Sequence, residues 1–322
     1  MATIKDVAKL AGVSTATVSR FINESGYVSE EARKKIEQSI KALDYYPNEI
    51  ARSLFTSKSK IIGLIIPDIS NPYFTEVARG AEEMANSQGY NLILINSEQT
   101  EAQKNSLQFI NQYNLSGVLQ ASGTIIDDFV KAPVVYLDRA EAQVDYGIHL
   151  NNSRGGQLAA EAIIQGKPKN VIIVAGPAEV KVAAERLSGA ISVLNANQLT
   201  YKVIHTESYG IEEAKALAAD FFTRFPEVDS IIASNDIFAL ALINQANQHG
   251  ISVPDQLQIV GFDNIPYSQL SVPSISTIEQ FARKIGYEGA ELLFRKILNK
   301  PITEKKIVIE PVLVERESLR KA

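Results

Sequence analysis

From Ile61 onward the chain alternates short runs of β-branched and aliphatic residues with longer amphipathic stretches, and it does so in two series. Candidate strands of the first series are Ile61–Ile66, Asn91–Asn96, Gly117–Ala121, Pro133–Leu137 and Gly147–Leu150. Those of the second are Val171–Ala175, Tyr201–Thr206, Asp229–Ala233, Leu257–Phe262 and Ser274–Ile278. Helical spacing falls between them, near 73–88, 101–112, 153–165, 181–196, 210–224, 236–249 and 281–299. Near-continuous apolar strands are buried on both faces, and strands separated by helices pair in parallel. The pattern predicts two similar α/β lobes, each a parallel sheet covered by helices, with ligand positions at the carboxyl ends of the strands. The doubling is visible as alternation only, not as repeated sequence.

Residues 1–47 follow a different rule and predict a small all-α unit. Thr3-Ile4-Lys5-Asp6 has the spacing of a capping box and opens a helix that runs to Leu10 or Ala11. Gly12 can take the left-handed conformation that ends one helix and leads into another, which Ser14 caps. On that second helix Val18, Phe21 and Ile22 share one face, Ala16 and Arg20 the opposite one, and Thr15 and Ser19 flank it. Short side chains allow close approach to a major groove, and an arginine can fork onto guanine O6 and N7. Ser29 caps a third helix, in which Ala32, Ile36, Ile40 and Leu43 close a mini-core and Arg33, Lys34, Lys35 and Lys41 face water. A three-helix unit of this kind also suits protein binding, so the pattern alone leaves both readings open.

Pro47 stops the third helix, and Asn48 can cap a further one with Ala51, Leu54 and Phe55 on one face. Eight residues cannot hold a helix alone in water, so this segment should fold only when docked. Leu54 is placed to wedge between base steps of a minor groove, or else to rest on the next domain. Thr56-Ser57-Lys58-Ser59-Lys60 reads as a basic tether. The expected organisation is a headpiece at 1–47, a hinge and linker at 48–60 and a body at 61–322. The body divides into lobes of about 61–155 with 284–305, and about 156–283 with 306–322.

Composition narrows the function class. No apolar run approaches the roughly 18 residues of a membrane span, and Lys5, Asp6 and Lys9 interrupt any leader-like apolar core. The absence of cysteine excludes disulfides, thiolate nucleophiles and Cys-based zinc sites. The expectation is a cytoplasmic protein with no membrane partner. Residues 1–60 hold 10 Lys and Arg against 7 Asp and Glu, and the remainder 22 against 30. A basic small unit on an acidic body fits an electrostatic footprint at one end.

Polar residues gather where the predicted strands end. They are Asn71-Pro72-Tyr73-Phe74, Asp138-Arg139, Arg186, Tyr209, Asn235, Phe262-Asp263 and Gln280. A sugar needs donors and acceptors around its hydroxyls and flat apolar surfaces against its C–H faces. Asn71, Asp138, Arg139, Arg186, Asn235, Asp263 and Gln280 supply the first, and Tyr73, Phe74, Tyr209 and Phe262 the second. Two aspartates against two arginines make a formally neutral site, which favours a neutral polyol over a sugar phosphate. Taken singly, Asn71 and Asn235 are equally good helix caps, Asp263 a good Asx-turn residue, and Phe74 and Phe262 good core residues. Recurrence at successive strand ends is what favours a shared site.

The headpiece resembles that of the LacI/GalR family of bacterial repressors, and the resemblance extends over essentially the whole chain. It implies that Thr15, Ala16 and Arg20 read bases and that Leu54 is the intercalating leucine of a hinge helix. The DNA-facing set then comprises Thr3, Ser14, Thr15, Ala16, Thr17, Ser19, Arg20, Asn23, Ala51, Arg52 and Leu54. The body is similar to ribose-binding members of the periplasmic sugar-binding fold, except that Tyr73 and Tyr209 stand where phenylalanine is usual. What the resemblance implies is a homodimer on palindromic operator DNA, released by a neutral, ribose-like sugar.

Catalysis finds no support. His149, His205 and His249 are scattered, and no P-loop, G-x-G-x-x-G, G-x-S-x-G or H-E-x-x-H occurs. No enzyme activity, cofactor or metal is expected. Two rivals remain: a global carbon-catabolite regulator of the same family with a phosphoprotein co-repressor, and a transport-type sugar-binding protein.

Overall fold

The computed structural model describes residues 2–23, 25–45, 59–97, 100–122, 125–138 and 144–321. The expected hinge helix, with Ala51, Arg52 and Leu54, lies outside the described residues, as does Arg139. The chain divides into two compact units, Met1–Lys60 and Ile61–Ala322.

The first unit consists of α1 (Ile4–Ala11), α2 (Thr15–Asn23) and α3 (Glu30–Ala42). The capping box at the start of α1 is formed: the Thr3 N–H donates to Asp6 Oδ2 at 2.8 Å, and the Asp6 N–H donates to Thr3 Oγ1 at 3.4 Å. Gly12 ends α1 with φ +66°, a conformation open to glycine at little cost. The Thr17 N–H donates to Ser14 Oγ at 3.1 Å, and the Ala32 N–H to Ser29 Oγ at 3.3 Å, so both serines cap the helices that follow. Val7, Ala8, Ala11, Val18, Val28 and Ile36 form the mini-core, with Phe21, Ile22, Ala32, Ile40 and Leu43 packed around it.

The second unit holds two six-stranded sheets. In chain order its elements are β1 (Ile61–Ile66), α4 (Pro72–Ser87), β2 (Asn91–Asn96), α5 (Thr100–Gln112), β3 (Gly117–Gln120), β4 (Val134–Leu137), β5 (Gly147–Leu150) and α6 (Asn152–Gln165). There follow β6 (Val171–Ala175), α7 (Lys181–Ala196), β7 (Tyr201–His205), α8 (Ile211–Ala219), α9 (Phe221–Arg224), β8 (Ser230–Ile232), α10 (Asp236–Gln248) and β9 (Gln258–Asp263). A 3-10 turn (Pro266–Gln269), β10 (Ser276–Glu279), α11 (Ala282–Ile297), β11 (Lys306–Ile309) and β12 (Val312–Val314) complete it. The first sheet runs β2-β1-β3-β4-β5-β11, all parallel, and the second β7-β6-β8-β9-β10-β12, parallel except for β12. Each is an open sheet with the same winding, so both present strand ends to a common cleft.

The chain crosses between lobes at β5–α6, at β10–α11 and after β11. The last crossing corrects the expected boundary: Lys306–Ile309 pairs with β5 in the first lobe, not the second. Edge strands are half solvated, and the polar start of β11 hides the apolar run that marked the others. The expected helix at 210–224 is broken at Asp220, which turns Phe221 and Phe222 into the second-lobe core.

Two helix pairs cross unusually closely. A Cβ on Gly80 of α4 would meet the Arg283 carbonyl oxygen at 1.9 Å, and one on Gly156 of α6 would meet that of Arg186 in α7 at 1.9 Å. Gly286 and Gly189 are the reciprocal glycines. Backbone touches backbone at both crossings, which locks α11 to α4 and α6 to α7.

Candidate functional site

In the headpiece, α2 presents a polar face. Thr15, Ala16 and Arg20 are exposed on α2, and Thr17 and Ser19 are half-buried beside them. Several of the expected contact residues already serve a neighbour. Thr3 is held by Asp6, the Ser14 hydroxyl lies 2.8 Å from that of Thr17, and Asn23 donates to Ser19 Oγ at 3.2 Å. Thr15, Ala16 and Arg20 thus offer the open surface, framed by side chains with fixed orientations.

In the body, residues from both lobes converge on one cavity. It is lined by Asn71, Tyr73, Phe74 and Asp138 from the first lobe, and by Val182, Arg186, Tyr209, Asn235, Asp263 and Gln280 from the second and its exit strand. Its free volume is about 20 Å³, room for one water molecule. Apart from Val182 and Arg186, which come from the first two turns of α7, the positions follow strand endings. Asn71 and Asn235 are at once pocket residues and helix caps, accepting the Tyr73 and Phe238 N–H groups at 3.0 Å each. Both caps expected from the sequence are formed, and the same two side chains line the cavity.

Arg186 organises the second-lobe wall. Its Nε donates to Asn152 Oδ1 at 2.8 Å, and one terminal nitrogen donates to Gln280 Oε1 at 3.0 Å. Gln280 in turn donates to Asp263 Oδ1. The guanidinium lies over the Phe262 ring, 3.8 Å from its centre. Tyr73 and Phe74 meet edge to face with centroids 5.0 Å apart. Asp138 is buried in a left-handed conformation (φ 53°), and its Oδ1 has no hydrogen-bond partner among the described residues.

One expected wall residue moves. Phe262 does not line the cavity; it lies beneath Arg186 and packs against Gly155 of α6 in the core. It lines an adjoining cavity that shares Arg186 and Tyr209 with the first. Two residues were missed. Val182 contributes an apolar surface from the first turn of α7, and buried Asn152 orients Arg186. Neither carries a sequence signal, because valine and asparagine at helix starts are commonplace. Arg139 falls outside the described residues, so the described polar wall carries two carboxylates and one guanidinium.

Among the described residues no group of His, Cys, Asp and Glu could hold a metal ion, and no helix is long and apolar enough to cross a membrane. His149 is half-buried, and burial holds its pKa below the usual histidine value; His205 and His249 are exposed.

Comparison with known proteins agrees with this two-unit design. Residues 3–48 match the family described as bacterial regulatory proteins, lacI family, and residues 160–319 the periplasmic binding protein-like domain. The chain is 41% identical over 325 residues to a ribose operon repressor of Bacillus subtilis (strain 168), covering 100% of this chain and 99% of that one. A ribose operon repressor of Lactococcus lactis subsp. lactis (strain IL1403) is 38% identical, covering 99% and 98%. The fold also matches that of a lac repressor dimer bound to operator and the anti-inducer ONPF, with a TM-score of 0.87 at 22% identity and 98% coverage of both chains. A helix-turn-helix unit, a two-lobed periplasmic-binding-like body and full-length identity to repressors rather than enzymes place the chain in the lacI family of bacterial regulatory proteins, as a DNA-binding transcriptional repressor.

Proposed function

We propose that the protein is a dimeric repressor of a sugar-utilisation operon, released from a palindromic operator by a neutral sugar, ribose. The observation that carries this reading is the single cavity at which Asn71, Tyr73, Phe74, Asp138, Arg186, Tyr209, Asn235, Asp263 and Gln280 meet from two lobes. Carboxylates and amides that accept and donate around a ring, between aromatic walls, suit a polyol. The full-length relatives named ribose operon repressors support ribose as that polyol. A pentose cannot enter a space of about 20 Å³, so the lobes must part to admit it and close around it.

On the DNA side, Thr15, Ala16 and Arg20 read bases in the major groove, with Thr3, Ser14, Thr17, Ser19 and Asn23 positioning the headpiece. Ala51, Arg52 and Leu54 belong to a hinge helix that forms against the minor groove, where Leu54 wedges between base steps. A helix this short is marginal, so a coupling of about 1–3 kcal/mol from the cleft suffices to undock it. Dimerisation has a face to use: Tyr267, Leu270 and Val272 on the second lobe are 56, 77 and 84% exposed. Such a switch operates in the cytoplasm, where its operator is.

Two variants test the reading. Asp263→Ala should abolish the response to ribose in an operator mobility shift while the protein still binds operator; a normal response would misplace the pocket. Leu54→Ala should weaken operator binding by about tenfold or more, roughly 1.4 kcal/mol, and leave ribose affinity unchanged. Equal loss of both activities would contradict the wedge. No calorimetric heat with millimolar ribose, together with binding of a phosphorylated carrier protein, would replace the sugar by a protein co-repressor.

A further inference from the structure

Behind the cavity lies a carboxyl group that touches no ligand position. Asp236 directly follows the pocket residue Asn235 and is completely buried. Its Oδ2 accepts the Ile265 N–H at 2.9 Å, and its Oδ1 accepts the Thr277 hydroxyl at 2.6 Å. Thr277 Oγ1 in turn accepts the Asn264 N–H at 3.3 Å. Asp236 and Thr277 therefore hold the two consecutive N–H groups that follow Asp263.

Those N–H groups belong to a strained turn. Asp263 has φ 104° and Asn264 φ 53°, conformations that side chains other than glycine adopt only when their surroundings impose them. Room for the carboxyl is built in as well: a Cβ on Gly261 would lie 2.1 Å from Asp236 Oδ1. Strand β9 thus gives up a side chain to let Asp236 reach the turn.

We propose that Asp236 is the positioning residue of the effector pocket: its two hydrogen bonds hold Asp263 in the left-handed region and so set the direction in which the Asp263 carboxylate meets the ligand. The sequence Asn235-Asp236 then ties two pocket residues together, Asn235 from the start of α10 and Asp263 from the end of β9. Burial, and the Asp263 charge next to it, push the Asp236 carboxyl well above the usual carboxylate range. An asparagine there has the same shape. Its carbonyl can accept the Ile265 N–H, and its amide can donate to a lone pair of Thr277 Oγ1.

This inference rests on the cavity being a sugar site, and the test separates the two. Ribose affinity by calorimetry, operator affinity without sugar and melting temperature are compared in the full-length protein, Asp236→Ala and Asp236→Asn. Asp236→Ala should bind ribose about tenfold or more weakly with operator affinity within about twofold of wild type, and Asp236→Asn should restore ribose affinity to within about threefold. In an Asp263→Asn background the further change Asp236→Ala should cost less than about twofold, because the positioned carboxylate is already gone. Unaltered ribose binding by Asp236→Ala, equal losses in the alanine and asparagine variants, or full additivity with Asp263→Asn would overturn the proposal. Should Asp236→Ala fail to fold, Thr277→Val removes one of the two Asp236 bonds, and with it the partner of the Asn264 N–H, and should weaken ribose in the same direction. Should wild type take up no ribose, the sugar reading fails. Crystal structures of ligand-free wild type and Asp236→Asn against Thr277→Val then decide the positioning role: positive φ at Asp263 and Asn264 retained in Thr277→Val overturns it.

Discussion

Arg186→Lys is expected to weaken effector binding by about 100-fold while leaving operator binding intact. Lysine keeps the charge, so the change isolates the geometry of the guanidinium. Arg186 donates to Asn152 with Nε and to Gln280 with a terminal nitrogen, two directions fixed by one planar group, and it stacks on Phe262. A single ammonium cannot replace that fork. These two bonds aim the guanidinium; the affinity at stake is the charge-assisted hydrogen bond it then makes to the effector, taken at the upper end of the about 1.5–3 kcal/mol such bonds contribute. At about 1.4 kcal/mol per decade this is roughly two orders of magnitude. The headpiece takes no part in the network, so a mobility shift without sugar should be unchanged. Retention of sugar affinity within about threefold in Arg186→Lys would mean that the wall needs only a positive charge.

Gly156→Ala should destabilise the second lobe. In an ordinary helix the exchange of glycine for alanine stabilises by about 1 kcal/mol, so helix propensity alone predicts a gain. The crossing reverses the sign. The new Cβ would sit 1.9 Å from the Arg186 carbonyl oxygen and 3.0 Å from the Ala190 nitrogen, both backbone atoms that no rotamer change can move. Helices α6 and α7 must part, at an overpacking cost of about 1–3 kcal/mol or more. For a body of this size each kcal/mol lowers the melting temperature by roughly 2–4 °C, so a fall of about 2–12 °C is expected in calorimetry. The atom displaced belongs to Arg186 itself, so on the proposed function ribose affinity should fall together with stability. A variant that melts at or above the wild-type temperature would show that α7 yields without strain.

The fold was largely legible in the residues. Strands such as Ile61–Ile66 and Val171–Ala175 are apolar on both faces because helices cover both sides of their sheets, and that burial is what makes them conspicuous. Caps were equally readable, since Thr3 with Asp6, Ser14 and Ser29 act within three residues of their own positions. The exceptions share one cause. β11 and β12 are short, partly exposed strands whose pairing is settled by distant partners, Gly147–Leu150 for one and Ser276–Glu279 for the other. The break at Asp220 likewise answers to the core that receives Phe221 and Phe222.

Residue types and strand periodicity by themselves determined the two-unit plan, the α/β winding of the body and which strand ends carry polar groups, because these depend on local propensity and on the period of burial. Only the tertiary structure decided that Phe262 lies under Arg186 and not in the cleft, that Val182 and Asn152 join the site, and that β11 belongs to the first lobe. It alone showed that Asp236 reaches the Asp263 turn through the space left by Gly261. Each of these contacts joins residues far apart in the chain. Their geometry is set by how sheets and helices pack, and packing distances leave no periodic trace along a sequence.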